Sequence, residues 1–416
     1  MIILKLINHI LFFSTFFCIL YFETYEIAGV KFAIIWKAPV LLFMALRTLK
    51  GYRIIHNTNY LKYGYLLTFK MLFSISGLSS IIITVNSMIR FVVFPLIIHY
   101  FHLFISNKKA IYYLKTFSTY IILSTIPFIL KLIKPLKSGY DLSKYGIDGD
   151  GFIGVFQKPH SASIILSIAL IIIFFFLKQE TKKSVKIFFI ILICIGTIAL
   201  IQTYVRTGWA MFLVGLGILF LQKKSLIYYI KLTPIIVIIG FSAFVFYQNN
   251  EGIQMRFQEK NIYQEESTSI SVENIGSGRF MIAFYALENW WDEGVISIFF
   301  GLGEELAREK MLSNKGSAIF AHNGFIEILQ TEGLIGFIIF MLFYIGIYKA
   351  IKKGKKHYYY KLSLVIFMML MAATFLQGGD NYVVYCLLAL SLSLLSNSNR
   401  KLGRKQTAYS YQSLKH

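Results

Sequence analysis

The sequence predicts an all-α fold: a polytopic membrane protein of about 12 transmembrane helices with a large helical loop outside the cytoplasm. Hydrophobic residues make up 56% of the 416 residues, whereas charged residues make up only 15%. The charges form short clusters between apolar stretches long enough to cross a bilayer. One longer polar stretch, 248–332, is large enough to fold outside the membrane. We therefore interpret 1–416 as a single membrane domain that contains this loop.

Twelve apolar stretches have the length of a membrane-spanning helix. The first is expected to stay in the mature protein, because no small-residue cleavage site follows it. In order, the predicted spans are 3–21, 30–47, 65–84, 88–106, 112–131, 161–177, 187–204, 208–221, 230–247, 333–349, 361–376 and 382–396.

Several of these spans contain ionisable residues, such as Lys37, Lys70 and Arg90. A charge in hydrocarbon is costly unless it faces protein, water or a headgroup. A lysine stem can reach an interface from near a helix end, so Lys37 and Lys70 are predicted to snorkel.

The distribution of charge predicts the orientation. The loops assigned to the cytoplasm, the C-terminal tail and Lys5 together hold 26 of the 42 Lys and Arg residues, whereas 248–332 holds 13 Asp and Glu against 6 Lys and Arg. Basic loops stay on the cytoplasmic side. Both termini are therefore predicted to be cytoplasmic and 248–332 extracytoplasmic. The preference of basic loops for the cytoplasmic side of the lipid bilayer accounts for the formal net charge of +22. No nucleic-acid partner is therefore expected.

The most informative motif lies where the outer loop re-enters the membrane. His322-Asn323 is followed by nine residues, then Gly333, two residues and Gly336. The helical spacing of apolar residues after Asn323 predicts a short amphipathic helix. His322 and Asn323 would then lie at its start, beside the bilayer surface.

These residues resemble the signature of the bacterial O-antigen ligase and O-antigen polymerase superfamily, which processes lipid-linked glycans. Segment 203–221 is similar to the family's arginine at an outer helix turn, a place filled by Arg206. Segment 276–303 is similar to its Ser-Gly-Arg segment, with Arg279 and a final Gly-Leu-Gly. Segment 151–166 also resembles a family loop, although Lys158 and His160 depart from its usual Asn-rich form.

The resemblance implies a metal-independent, inverting glycosyltransferase without a cofactor in the bacterial cytoplasmic membrane. Its donor would be a polyprenyl-diphosphate-linked oligosaccharide. Guanidinium groups form two-point hydrogen bonds with phosphate oxygens, so Arg206 and Arg279 are expected to stabilise the departing diphosphate. His322 is the candidate general base for the attacking sugar hydroxyl.

Three activities remain open. Polymerisation of O-antigen, capsule or exopolysaccharide repeat units is favoured over ligation of the glycan to lipid A core or another acceptor. A flippase for lipid-linked oligosaccharides is the alternative of a different class, but the sequence shows no repeat architecture to support it. A chain-length regulator is a candidate partner.

Further residues are candidates for substrate binding. Trp290 and Trp291 could stack on a sugar or belong to an interfacial aromatic belt. Asp380 could meet glycan or simply form a turn. The complete set of substrate-binding candidates is Asn323, Lys158, Trp290, Trp291 and Asp380.

Overall fold

The described chain is almost entirely helical, as predicted. The computed structural model describes residues 26–27, 30–50, 58–134, 151–156, 158–220, 248, 279–315, 323–377 and 382–395. Two short strands, Glu26–Ile27 (β1) and Val30–Lys31 (β2), form an antiparallel pair. The chain divides into two compact units, one formed by 1–118 with 281–416 and the other by 119–280.

The helices are numbered in chain order. The first eight are α1 (Phe32–Lys50), α2 (Leu61–Lys70), α3 (Ile81–Phe104), α4 (Asn107–Leu123), α5 (Ile126–Ile129), α6 (Pro159–Leu177), α7 (Lys183–Gln202) and α8 (Arg206–Phe220). The later ones are α9 (Arg279–Asp292), α10 (Val295–Phe300), α11 (Glu304–Lys315), α12 (Gly324–Lys353), α13 (Tyr360–Gln377) and α14 (Tyr382–Leu395). A 3₁₀ turn, Met71–Phe73, follows α2.

The first unit is centred on α12, which packs against α2, α10 and α13. Gly64 of α2 lets that helix approach α3 closely, because a Cβ there would lie 2.9 Å from Cβ of Pro95. Phe94 of α3 stacks on Tyr385 of α14 with ring centroids 4.1 Å apart, and meets Phe343 of α12 edge to face. Aromatic packing thus joins α3, α12 and α14.

The second unit is centred on α6, which packs against both α7 and α8. Small residues allow the close approach: Gly208 of α8 lies against Ser163 of α6. The hydroxyl of Ser167 donates to the carbonyl oxygen of Gly208 at 2.7 Å. A buried polar group is thereby satisfied between two apolar helices.

Several predicted spans correspond to helices, but their limits differ. The predicted span 65–84 is wrong, since α2 ends at Lys70 and turns occupy most of 71–80 before α3 begins. Serines and Gly77 in this stretch favour turns over helix. The prediction 112–131 covers two helices, α4 and α5. The prediction 333–349 begins at an internal break of α12, whose first residue is Gly324.

By length and composition, four helices in the described part of the chain could cross a membrane: α3, α6, α7 and α12. Shorter apolar helices lie at Pro39–Leu49, Arg206–Leu219, Tyr360–Leu376 and Tyr382–Leu395. The predicted spans 3–21 and 230–247 fall outside the described residues. The chain is a multi-pass membrane protein, while the count of twelve spans, the outer loop and the orientation stay predictions.

Candidate functional site

The His-Asn motif meets the start of α12 at Asn323. Its side-chain oxygen accepts hydrogen bonds from the backbone N–H groups of Phe325 at 3.0 Å and Ile326 at 3.3 Å. Asn323 has an extended backbone and is therefore a helix N-cap. The amide predicted to bind substrate thus also fixes the first turn of the helix.

The motif's first glycine interrupts α12. Gly333 has φ +65° and ψ −174°, a conformation open essentially to glycine alone. The nine residues between Asn323 and Gly333 therefore form a separate helical segment, which we call the nine-residue helix (324–332). Its length is the interval that the sequence motif specifies.

Carbonyl groups at the end of the nine-residue helix take partners from outside it. The N–H of Leu302 donates to Gln330 O and the N–H of Gly303 donates to Thr331 O, both at 2.9 Å. Lys70 Nζ donates to Glu332 O. A helix end leaves carbonyl groups without helical partners, and these three bonds supply them. The Gly-Leu-Gly loop (301–303) and Lys70 together act as a C-terminal cap.

The Gly-Leu-Gly loop is held on its other side by the turn after α2. The N–H of Ile75 donates to Gly301 O and the N–H of Ser76 donates to Leu302 O, both at 3.0 Å. The hydroxyl of Ser76 also donates to Leu302 O at 2.8 Å. The broken span that sequence reasoning mistook for one helix therefore supports the motif.

Lys70 is buried and does not snorkel, which corrects the prediction for this residue. Its Nζ lies 3.2 Å from Oε2 of Glu332, and the two side chains are only 7% and 5% exposed. It also donates to the carbonyl oxygen of Phe300 at 2.5 Å. Removing one partner of a buried ion pair leaves an uncompensated charge, which typically costs about 3–5 kcal/mol.

A second ionic cluster surrounds Glu304, at the start of α11. Its carboxylate accepts hydrogen bonds from the hydroxyl of Ser87 and from the guanidinium of Arg308. Arg90 Nη1 lies 3.5 Å from the same carboxylate, with 43% of the arginine side chain exposed. Arg90, a charge in the middle of the apolar helix α3, is therefore compensated by Glu304.

A cleft in the first unit joins both clusters. One face of the nine-residue helix lines it, beginning at Gly324, the residue after Asn323. Its polar lining consists of Ser87, Arg90, Glu304, Glu327, Thr331, Glu332 and Thr374. The lining combines hydrogen-bond donors and acceptors with aromatic rings. Such a cleft suits a ligand that carries hydroxyl groups around a ring with an apolar face.

The second unit contains Arg206 at the start of α8. Thr203 to Val205 form the turn that separates α7 from α8. Residues 151–156, the loop at the start of the family-like segment 151–166, lie against this turn, since the N–H of Phe152 donates to Gln202 O at 2.7 Å. Lys158 is the exposed N-cap residue of α6. Within this unit the structure thus brings the 151–156 loop to the turn that carries Arg206.

The two tryptophans of α9 differ in their surroundings. Trp290 is 8% exposed, and its ring N–H donates to the carbonyl oxygen of Ser297 at 3.0 Å. Trp291 is 62% exposed. Of the pair, Trp291 therefore presents the ring that is open to contact. Arg279 is the first residue of the same helix.

The remaining predicted site residues, His322 and Asp380, lie outside the described residues. Sequence reasoning did not find Glu332 and Glu304, and it gave Lys70 only a snorkelling role. The sequence feature that could have indicated the two carboxylates is a basic residue within an apolar span, because such a residue needs a partner of opposite charge. Within the described ranges, no three His, Cys, Asp or Glu side chains cluster as metal ligands would.

The comparison with protein families bears on the same region. Residues 190–341 match the family model described as O-antigen ligase. No curated protein is found to match the chain. The matched range contains Arg206, Arg279 and the whole interval from His322 to Gly336. Over this range the chain is similar to the O-antigen ligase family, in agreement with the resemblance of its motifs.

Proposed function

We propose that the protein is a repeat-unit polymerase, an inverting glycosyltransferase acting at the extracytoplasmic face of the bacterial cytoplasmic membrane. The observation that supports this best is the form of the motif interval. Asn323 caps one end of the nine-residue helix, Gly333 ends it, and the face between them lines a polar cleft. Residues 190–341, which match the O-antigen ligase family, include Asn323, the nine-residue helix and Gly333.

The proposed reaction joins two lipid-linked glycans. A sugar hydroxyl of the acceptor attacks the anomeric carbon of the donor, and the bond from that carbon to the diphosphate oxygen breaks. His322 accepts the hydroxyl proton, which activates a nucleophile that is weak at its ordinary pKa. Polyprenyl diphosphate leaves as an anion, with Arg206 and Arg279 stabilising its developing charge. The reaction needs no redox step.

The test is glycan transfer by the purified protein from a polyprenyl-diphosphate-linked repeat unit. His322→Ala is expected to lower the rate by about 10²- to 10⁴-fold, as loss of a general base does. His357→Ala is the matched control, because His357 lies in the loop after α12 and away from the motif. Wild-type rates in the His322 variant would contradict the proposed role.

Two additions extend the same assay. A chelator is expected to leave the rate unchanged, and inhibition that added metal reverses would overturn the metal-independent mechanism. A ladder of products from the repeat unit alone supports polymerisation. A single transfer that occurs only with lipid A core present would instead show the ligase activity for which the family model is named.

The flippase alternative predicts a different result. It requires movement of intact lipid-linked oligosaccharide across vesicles, with no new glycosidic bond. Lipid movement without product growth would therefore replace the proposed enzyme with a transporter.

A further inference from the structure

We propose that Lys70 is a positioning residue for glycosyl transfer, acting through the nine-residue helix on His322. The inference rests on the proposed function, in which His322 is the general base. It concerns a residue far from the motif in sequence, since 262 positions separate Lys70 from Glu332. Lys70 is not assigned a contact with either substrate.

The contacts of Lys70 match its donors. An ammonium group has three N–H donors, and Lys70 Nζ has three acceptors: Phe300 O, Glu332 O and Glu332 Oε2. The two carbonyl groups belong to the residues that directly precede Gly301 and Gly333, whose backbones meet. One side chain therefore fastens the end of α10 to the end of the nine-residue helix.

The charge of Lys70 also suits its place. The end of a helix carries partial negative charge on its carbonyl groups, and a cation there is favourable. The Glu332 carboxylate adds a full negative charge at the same end, and it lies buried beside Lys70. An apolar side chain would leave both carbonyl groups without this donor.

The position of Lys70 at the end of the nine-residue helix explains how it can affect the general base. Lys70 holds one end of the nine-residue helix, and Asn323 with His322 precedes the other end. The helix is roughly 13 Å long at 1.5 Å per residue, so a tilt of about 5° moves its start by about 1 Å. A misplacement of about 1 Å can lower a rate by about 10²-fold. Loss of Lys70 is therefore expected to act on the base more than on binding of the donor.

Lys70→Met is the test, and Lys62→Met is its matched control. Lys62 lies on the same helix but is exposed, with its Nζ 5.0 Å from the ring centroid of Tyr63. Lys70→Met is expected to lower kcat by at least about 30-fold with KM for the donor within about threefold, whereas Lys62→Met keeps both. Rates are expressed per amount of folded protein. Thermal unfolding in detergent shows that each variant is folded at the assay temperature.

A second variant distinguishes a loss of activity from a loss of folding. Lys70→Met with Glu332→Met replaces the buried pair by apolar side chains, a change that is often neutral for stability. This double variant is expected to fold and still to have a low kcat, because both carbonyl groups lack the ammonium donor. A normal kcat in either folded variant would overturn the inference, and so would failure of both variants to fold, since the role would then be structural only.

Combination with His322→Ala separates positioning from a general loss of activity. If Lys70 acts through His322, adding His322→Ala to Lys70→Met lowers the rate much less than it does in the wild-type protein. Equal factors in the two backgrounds would count against the inference. If His322→Ala alone has no effect, the proposed function fails at its base, which is a different result from a normal rate in Lys70→Met.

Discussion

Gly301 and Gly333 meet backbone to backbone. A Cβ on Gly333 would lie 2.5 Å from the amide nitrogen of Gly301, and a Cβ on Gly301 would lie 2.5 Å from the amide nitrogen of Gly333. Gly333 belongs to the His-Asn motif and Gly301 to the Gly-Leu-Gly motif, which are 32 residues apart in the chain. The two motifs therefore form one structural unit.

Gly333→Ala is expected to destabilise the protein more than Gly294→Ala. The two glycines have similar dihedral angles, with φ +65° and ψ −174° for Gly333 and φ +89° and ψ −172° for Gly294. Nothing lies within 4 Å of a Cβ on Gly294, so its variant carries backbone strain of about 1–3 kcal/mol alone. Gly333→Ala adds a collision with Gly301. Thermal unfolding in detergent tests this, and equal shifts in Tm would show that the contact yields easily.

Asn323→Ala is expected to lower stability by about 1 kcal/mol, because it removes the cap of the nine-residue helix. Asn323→Asp is the control, since aspartate caps a helix about as well as asparagine. The Asp variant should therefore unfold near the wild-type temperature, while the Ala variant unfolds lower. Equal unfolding temperatures for Asn323→Ala and wild type would deny the cap an energetic role.

Arg206→Lys and Arg279→Lys are each expected to slow glycan transfer, because lysine keeps the charge but loses the planar two-point contact with phosphate. Arg47→Lys serves as a control, since Arg47 lies near the predicted cytoplasmic end of α1, with its guanidinium 4.8 Å from the ring centroid of Phe104. The measurement is transfer from the lipid-linked repeat unit. Rates near wild type in both Lys variants would mean that a point charge suffices.

The orientation predicts which positions a membrane-impermeant thiol reagent can reach. In a cysteine-free background, Ser313→Cys is expected to react in intact cells, whereas Ser413→Cys reacts only after lysis. Ser313 suits the experiment because its side chain is exposed at the end of α11. Labelling of Ser413→Cys in sealed cells would reverse the orientation.

Patterns within short stretches of sequence predicted several individual helices. Apolar runs predicted helices close to α6, α7 and α8, and the spacing after Asn323 predicted the helix that Asn323 caps. The turn at 74–80 was missed because its serines and Gly77 lie between apolar residues that keep the stretch as hydrophobic as a span. Average hydrophobicity does not register such a break.

The ion pairs of the site could not be predicted in the same way. Lys70 and Glu332 are 262 positions apart, and no periodicity in either segment indicates the other. Glu304 and Ser87 are 217 positions apart. Only the cost of a charge in an apolar segment showed that Lys70 and Arg90 need partners. The identity of those partners depends on how the helices pack.

Because α12 is broken at Gly333, the number of residues in the nine-residue helix sets where its start lies relative to its end. In a continuous helix, an added residue could be absorbed by sliding along the axis, but here both ends are anchored, at Asn323 by its cap and at Gly333 by Gly301. One residue more or less would turn the start of the helix by about 100° and shift it by about 1.5 Å. Gly324, the first residue of the helix to line the cleft, would then turn away from it. Insertions within 324–332 should therefore be far less tolerated than substitutions there.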